Sequence, residues 1–246
     1  MVVDPSYRIV SARIPRVDIF ERVADPDDLE AVIALEALAN PRIREQAGGL
    51  HLVPKEQRVV GPGSTFIMAP FAYPRVSRFS DGSYGVYYAA TQLETAIAET
   101  TYHRESFMRD TNEPPIDLDM RVIEARIRGD LLDLTRAPNR KAILDPNDYG
   151  ASQTFARKKR AGDCDGLHYP SVRRRGGFCV AVFKPNLVSG AHTTQYLGYR
   201  WDGTAIIDVF KKLSLSDRYP GARGGRGKHR KRKPLDKLAV TGGAPA

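Results

Sequence analysis

Two hydrophobic periods run through this chain. Residues 24–39, ADPDDLEAVIALEALA, repeat at the helical spacing and put Leu29, Val32, Ile33 and Leu38 on one face. Asp25 suits the cap of that helix, Pro26 its first position and the acidic residues its first turn. The stretch 41–74 is rich in Gly and Pro, with GPGS (61–64) reading as a turn and TFIMA (65–69) as a short strand. GVYYAA (85–90) predicts a strand, and TQLETAIAETTYH (91–103) a helix opened by a capping box at Thr91 and Glu94. MRVIEARI (120–127) alternates like a half-buried strand, and Leu131 to Leu134 reads as another. YGASQTFARKKRAG (149–162) predicts a helix closed by Gly162. GGFCVAVF (176–183) has the unbroken apolar run of a central strand, and GTAIIDVF (203–210) reads as a last strand or short helix.

Together these elements predict an α+β fold with a mixed central sheet flanked by helices. One domain is expected over 1–217, followed by a basic low-complexity tail at 218–246. At 246 residues the chain is long enough to bury a full core, and 41% hydrophobic with 27% charged residues is the balance of a globular protein. No apolar run approaches a membrane span, and MVVDPSYRIV lacks the apolar core of a signal peptide, so the expectation is a cytoplasmic protein without membrane contact. Cys164, Cys179 and five scattered histidines form no metal-ligand spacing, so neither a metal nor a prosthetic group is expected.

The net charge of +9 changes this picture only at one end. RGGRGKHRKRKPLDK (223–237) holds eight Lys/Arg and one Asp, or +7, which leaves about +2 for the rest. A Gly-rich, Pro-containing segment without apolar periodicity is expected to be disordered. Such a tail could hold RNA or DNA weakly through phosphates, which makes a nucleic-acid-binding protein the alternative of another class. A solvated basic extension is the plainer account of the same residues.

The richest candidate chemistry lies between Ser77 and His103, where Arg78, the pair Tyr87 and Tyr88, and Glu99 fall in one strand–turn–helix unit. A cation for phosphates, an aromatic face and a carboxylate are what opening a dinucleotide at its glycosidic bond requires. Each residue alone has an ordinary reading. A helical Glu is usually solvated, His103 suits a helix C-terminus, one of two adjacent strand tyrosines is core, and a single arginine is usually surface.

Three ordered motifs tip the balance. VSRFSDGSYGVYYAATQLETAIAET resembles the RES-domain family, in which an arginine–aromatic pair precedes a VYYAA-like strand and a helix carrying A-x-A-E. YGASQTFARKKRAGDCDGLHYPSVRRRGGFCVAVFKP (149–185) is similar to that family's S-Q-x-x-A helix, its D-G-L-x-Y-P-S-x-R segment and the following strand. SYRIV (6–10) is similar to its opening strand. The resemblance covers most of residues 6–185. It implies an ADP-ribosyltransferase-like fold with an insertion at about 11–75 and an enzyme for which NAD is the substrate. The implied reaction breaks the nicotinamide–ribose bond by phosphorolysis or hydrolysis, or moves ADP-ribose to a protein target. It further implies a toxin that arrests growth by depleting NAD, an Xre-like antitoxin partner that silences it, and a homodimer within a larger complex.

Carried over residue by residue, the resemblance matches Arg8 and Arg78 to the arginines that meet the NAD phosphates, with Arg42 or Arg44 as alternatives to Arg8. It matches Tyr88 to the tyrosine facing nicotinamide, with Tyr87 one register step away, and Glu99 to the helix glutamate. Ser152 and Ser171 both stand where family members carry serine, and Arg173 in SVRRR (171–175) becomes a further phosphate contact.

Overall fold

The structure, a computed structural model, describes residues 1–13, 19–23, 25–39 and 48–213. The tail at 218–246 and the alternatives Arg42 and Arg44 lie outside these residues. The strands are β1 (Val2–Ser11), β2 (Val76–Ser77), β3 (Ser80–Asp81), β4 (Tyr87–Ala90), β5 (Ile116–Arg128), β6 (Leu131–Asp133), β7 (Gly166–Pro170), β8 (Phe178–Val182), β9 (Val188–Trp201) and β10 (Ile206–Lys212). The helices are α1 (Ile19–Arg22), α2 (Leu29–Ala39), α3 (Ser64–Ala72), α4 (Leu93–Asp110), α5 (Arg140–Ile143) and α6 (Gly150–Ala161).

Eight strands form one sheet in the order β10-β9-β5-β1-β4-β8-β7-β6, and β2 pairs with β3 as a separate hairpin. β6 runs parallel to β7 while the other pairs are antiparallel, so the sheet is mixed and carries helices on both faces. Period-two alternation sorts its side chains. On one face Tyr87, Ala89, Ile123, Ala125, Val180 and Val182 pack beneath α3 and Leu29 of α2. On the other Ile9, Ala90, Met120, Val122, Cys179 and Ala181 pack with Ala96 of α4, Ala156 of α6 and Phe79. Among the described residues no helix is long and apolar enough to cross a membrane.

Several local expectations are corrected. TFIMA belongs to α3, whose Thr65, Phe66, Ile67, Met68, Phe71 and Ala72 are all buried. A short segment apolar all round has no amphipathic period, so the pattern could not separate a buried helix from a strand. α2 starts at Leu29 and not at the Asp25–Pro26 signal, because Asp25 instead caps a preceding turn by accepting the Asp27 N–H through Oδ1 at 2.9 Å. The capping box at Thr91 is absent: Gln92 stands at the N-cap and its side chain makes no capping bond to the helix, and Thr91 Oγ1 donates to Phe178 O at 3.3 Å. α4 continues to Asp110, which places His103 in mid-helix and not at its end. Of the two options for 203–210, the strand is the one formed, as β10.

The link between α3 and β4 is tight at one glycine. A Cβ on Gly85 would lie 2.3 Å from Phe71 Cα and 2.4 Å from Pro70 O, both backbone atoms of α3. Neither atom can rotate away. Gly85→Ala is therefore expected to destabilise the protein by ~3 kcal/mol, which a drop of several degrees in the melting temperature would reveal. An unchanged melting temperature would show that α3 shifts freely against β4.

Candidate active site

β1 and β4 register at a single pair, Tyr7↔Ala90, whereas β1 pairs with β5 along nearly its whole length. Beyond that pair the sheet has a seam, and a cleft of about 780 Å³ opens there. Consecutive residues from both strands line it, Tyr7 to Ile9 and Tyr88 to Ala90, as expected where neighbouring strands stop covering each other. α4 forms another wall with Ala96, Glu99, Thr100, His103 and Ser106, which recur at the helical spacing of one face. Arg78 and Tyr149 enter from the remaining side, and the volume suits a cofactor-sized ligand.

Arg8 fills the seam. Its Nη1 donates to Tyr88 O at 2.9 Å, and its guanidinium carbon lies 5.0 Å from the Tyr87 ring centroid. Burial pushes its pKa down while Tyr87 and Tyr88 pull it up, and at neutral pH the guanidinium keeps its charge. Arg78 is buried, donates through Nη1 to Asp145 O at 2.6 Å and sits 4.6 Å over the Tyr149 ring. Among the described residues, no carboxylate pairs with either arginine. Two cations thus face a cleft without a salt-bridge partner among the described residues, the Asp145 carboxylate feeling the Arg78 charge only at longer range, which is the electrostatic arrangement of an anion site.

Glu99 is the carboxylate of the α4 wall. Its Oε1 accepts the Ser171 hydroxyl at 2.6 Å and lies 3.8 Å from Cys179 Sγ. Ser171 Oγ in turn accepts the backbone N–H groups of Arg173 at 3.1 Å and Arg174 at 3.0 Å. The hydroxyl is therefore directed at Glu99 and fixes the carboxylate by one oxygen. Burial, and then the Glu99 charge, push the Cys179 thiol well above its ordinary range, so at neutral pH it is a neutral donor. Burial lowers the pKa of His103, and Arg173, Arg78 and Arg104 lower it further against the opposing pull of Glu99. Its ring is neutral at physiological pH.

Tyr88 and Tyr87 are separated by the strand pleat. Tyr88 lines the cleft, while Tyr87 is fully buried on the opposite face under α3. The Tyr88 hydroxyl accepts the Phe79 N–H at 2.9 Å and shares a hydrogen bond of 3.0 Å with Ser77 Oγ. Burial pushes its pKa up to about 12, so it stays a neutral phenol held in one orientation.

The two serines have different places. Ser171 touches Glu99, whereas Ser152 is fully buried behind the cleft and donates to Arg78 O at 2.6 Å and Tyr149 O at 2.9 Å. Arg173 does not line the cleft. Its guanidinium carbon lies 3.2 Å from the Tyr102 ring centroid and its Nη2 donates to Pro146 O at 2.6 Å, which ties α4 to the 145–149 loop. Arg174 secures the same turn through Gln92 Oε1 at 2.6 Å and Thr95 Oγ1 at 3.1 Å. Tyr102, Tyr149 and the Asp145 carbonyl went unnoticed in the sequence. The signal that the sequence offers there is the turn-rich string DPND (145–148), just ahead of the helix predicted from Tyr149.

Comparisons with known proteins were made against this geometry. Residues 55–202, more than half of the chain, match the family model described as RES domain. A protein of Sinorhizobium fredii (strain NBRC 101917 / NGR234) named "Uncharacterized protein y4oC" is 29% identical over 207 residues, covering 82% of this chain and 85% of its own length. Among solved structures, a chain in the crystal structure of the M.tuberculosis MbcT-MbcA toxin-antitoxin complex superposes with a TM-score of 0.41 at 11% identity, covering 80% of this chain and 86% of that chain.

Proposed function

This chain belongs to the RES domain family, and on that premise we propose that it is a toxin-type enzyme that binds NAD and cleaves its nicotinamide–ribose bond. The observation that carries the reading is the cleft itself, with Arg8 and Arg78 free of carboxylate partners among the described residues and Glu99 on a wall of the same cavity. In this reading the two guanidinium groups fix the pyrophosphate by charge-assisted bonds, which lysines would form with less directional precision. Tyr88 offers a rigid aromatic surface for the nicotinamide end. Breaking the glycosidic bond builds positive charge on the ribose, and Glu99 stabilises that charge as the neutral nicotinamide departs with the bonding electrons.

Phosphate, water and a protein side chain are the acceptors open to the ribose carbon, since all three share the same bond-breaking step. A toxin of this kind acts in the cytoplasm, where it depletes NAD and arrests growth, and a cognate antitoxin protein silences it by covering the cleft. The test is to incubate the purified protein with NAD, with and without phosphate and cell extract, and to identify the product by mass spectrometry. ADP-ribose-1″-phosphate, ADP-ribose or a modified protein would each support cleavage and name the acceptor. Intact NAD under every condition would overturn the reading.

A further inference from the structure

Arg78 sits at an unusual turn. Ser77 and Ser80 are a registered pair of the β2–β3 hairpin, so Arg78 and Phe79 are its two central residues. Two-residue hairpin loops favour turns with positive φ at the first central position, usually supplied by Gly, Asn or Asp. Neither Arg78 nor Phe79 has a positive φ. The turn is instead bonded from outside at every step. Ser77 O accepts from Gln153 Nε2 at 2.9 Å, Arg78 O from Ser152 Oγ at 2.6 Å and Phe79 O from the Tyr84 hydroxyl at 2.6 Å. Ser80 O accepts from Gln153 Nε2 at 3.2 Å, and the Phe79 N–H donates to Tyr88. Gln153 thus donates to both ends of the turn from the first helical residues of α6, beside Tyr149, on whose ring the Arg78 guanidinium rests.

We propose that Gln153 is a positioning residue that sets the presentation of Arg78 to an anionic ligand by bridging the Ser77 and Ser80 carbonyls. It touches no ligand itself. Its amide supplies donors that the local sequence Arg78–Phe79 lacks, because two L-residues at negative φ do not hold the strands of a tight hairpin in register unaided. The proposal rests on the reading of Arg78 as a pyrophosphate contact, and it makes the helix motif around Ser152 part of the anion site without placing either residue in the cleft.

The test is a double-mutant cycle on the full-length protein, with inorganic pyrophosphate as the calorimetric probe. Gln153→Leu removes the donors at similar size, and Gln153→Glu removes them while keeping a polar side chain. Each is expected to weaken pyrophosphate binding about tenfold in the wild-type background and less than twofold in an Arg78→Ala background, because coupled residues do not add. Unchanged affinity in both Gln153 variants, an equal loss in both backgrounds, no pyrophosphate binding by the wild type, or loss of folding in both variants would each overturn it. NAD turnover by the wild type is read separately, so failure of the enzymatic reading and failure of the positioning role are distinguishable.

Discussion

Glu99→Gln is expected to leave the fold and NAD binding in place and to slow NAD cleavage by about a thousandfold, ~4 kcal/mol of barrier. The substitution is clean because of how the carboxylate is held. The Ser171 hydroxyl donates to Oε1 at 2.6 Å, and an amide oxygen in that position accepts the same bond. The Cys179 thiol contact at 3.8 Å is preserved on the same grounds. What the variant loses is the negative charge, which acts on the ribose only as positive charge develops there. Such a group lowers kcat and kcat/KM together and leaves KM nearly unchanged. Steady-state kinetics on NAD, with thermal melting as the fold control, check this. Turnover within tenfold of the wild type would show that Glu99 does not stabilise the bond-breaking step.

How far the sequence could be read depends on the range of the interaction concerned. Strand alternation put Tyr87 and Tyr88 on opposite faces, yet which face held the cleft depends on α4 packing beside Ala90 and Cys179, a contact between distant segments. The helical spacing of Glu99 and His103, four residues apart, puts both on one face for the same local reason, and the structure has both on one cleft wall. Ser152 and Ser171 could not be told apart in the sequence, since each sits in a matched motif. Only the fold brings Ser171, in the turn between β7 and β8, to Glu99 on α4, and buries Ser152 behind Arg78. TFIMA was misread because a helix apolar on every side has no moment to detect. The supports of Arg78 were invisible for another reason: Asp145, Ser77 and Ser80 contribute carbonyl oxygens, which every residue type carries. The seam itself is a missing set of strand pairs, and no residue type marks it.

That seam makes Arg8→Met the more revealing of the remaining substitutions. The variant is expected to bind NAD about a hundredfold more weakly while its melting temperature stays at or above that of the wild type. Arg8 lies beside Tyr87 and Tyr88 with one hydrogen bond, to Tyr88 O, and without a carboxylate partner among the described residues. A cation partly buried in this way costs desolvation that the apo protein does not recover, and a methionine of similar reach removes the cost while still filling the space. Part of the gain is offset by the Tyr88 carbonyl, which loses its donor. A bound pyrophosphate reverses the balance, because a charge-assisted bond in a partly desolvated seam is worth ~1.5–3 kcal/mol or more. Stability and affinity therefore move in opposite directions at one residue, as they do where a site is built for its ligand at the expense of the empty fold. Calorimetric titration with NAD and thermal melting of the same sample measure both. A melting temperature lowered by several degrees with NAD affinity unchanged would make Arg8 a structural plug of the β1–β4 seam and remove it from the anion site.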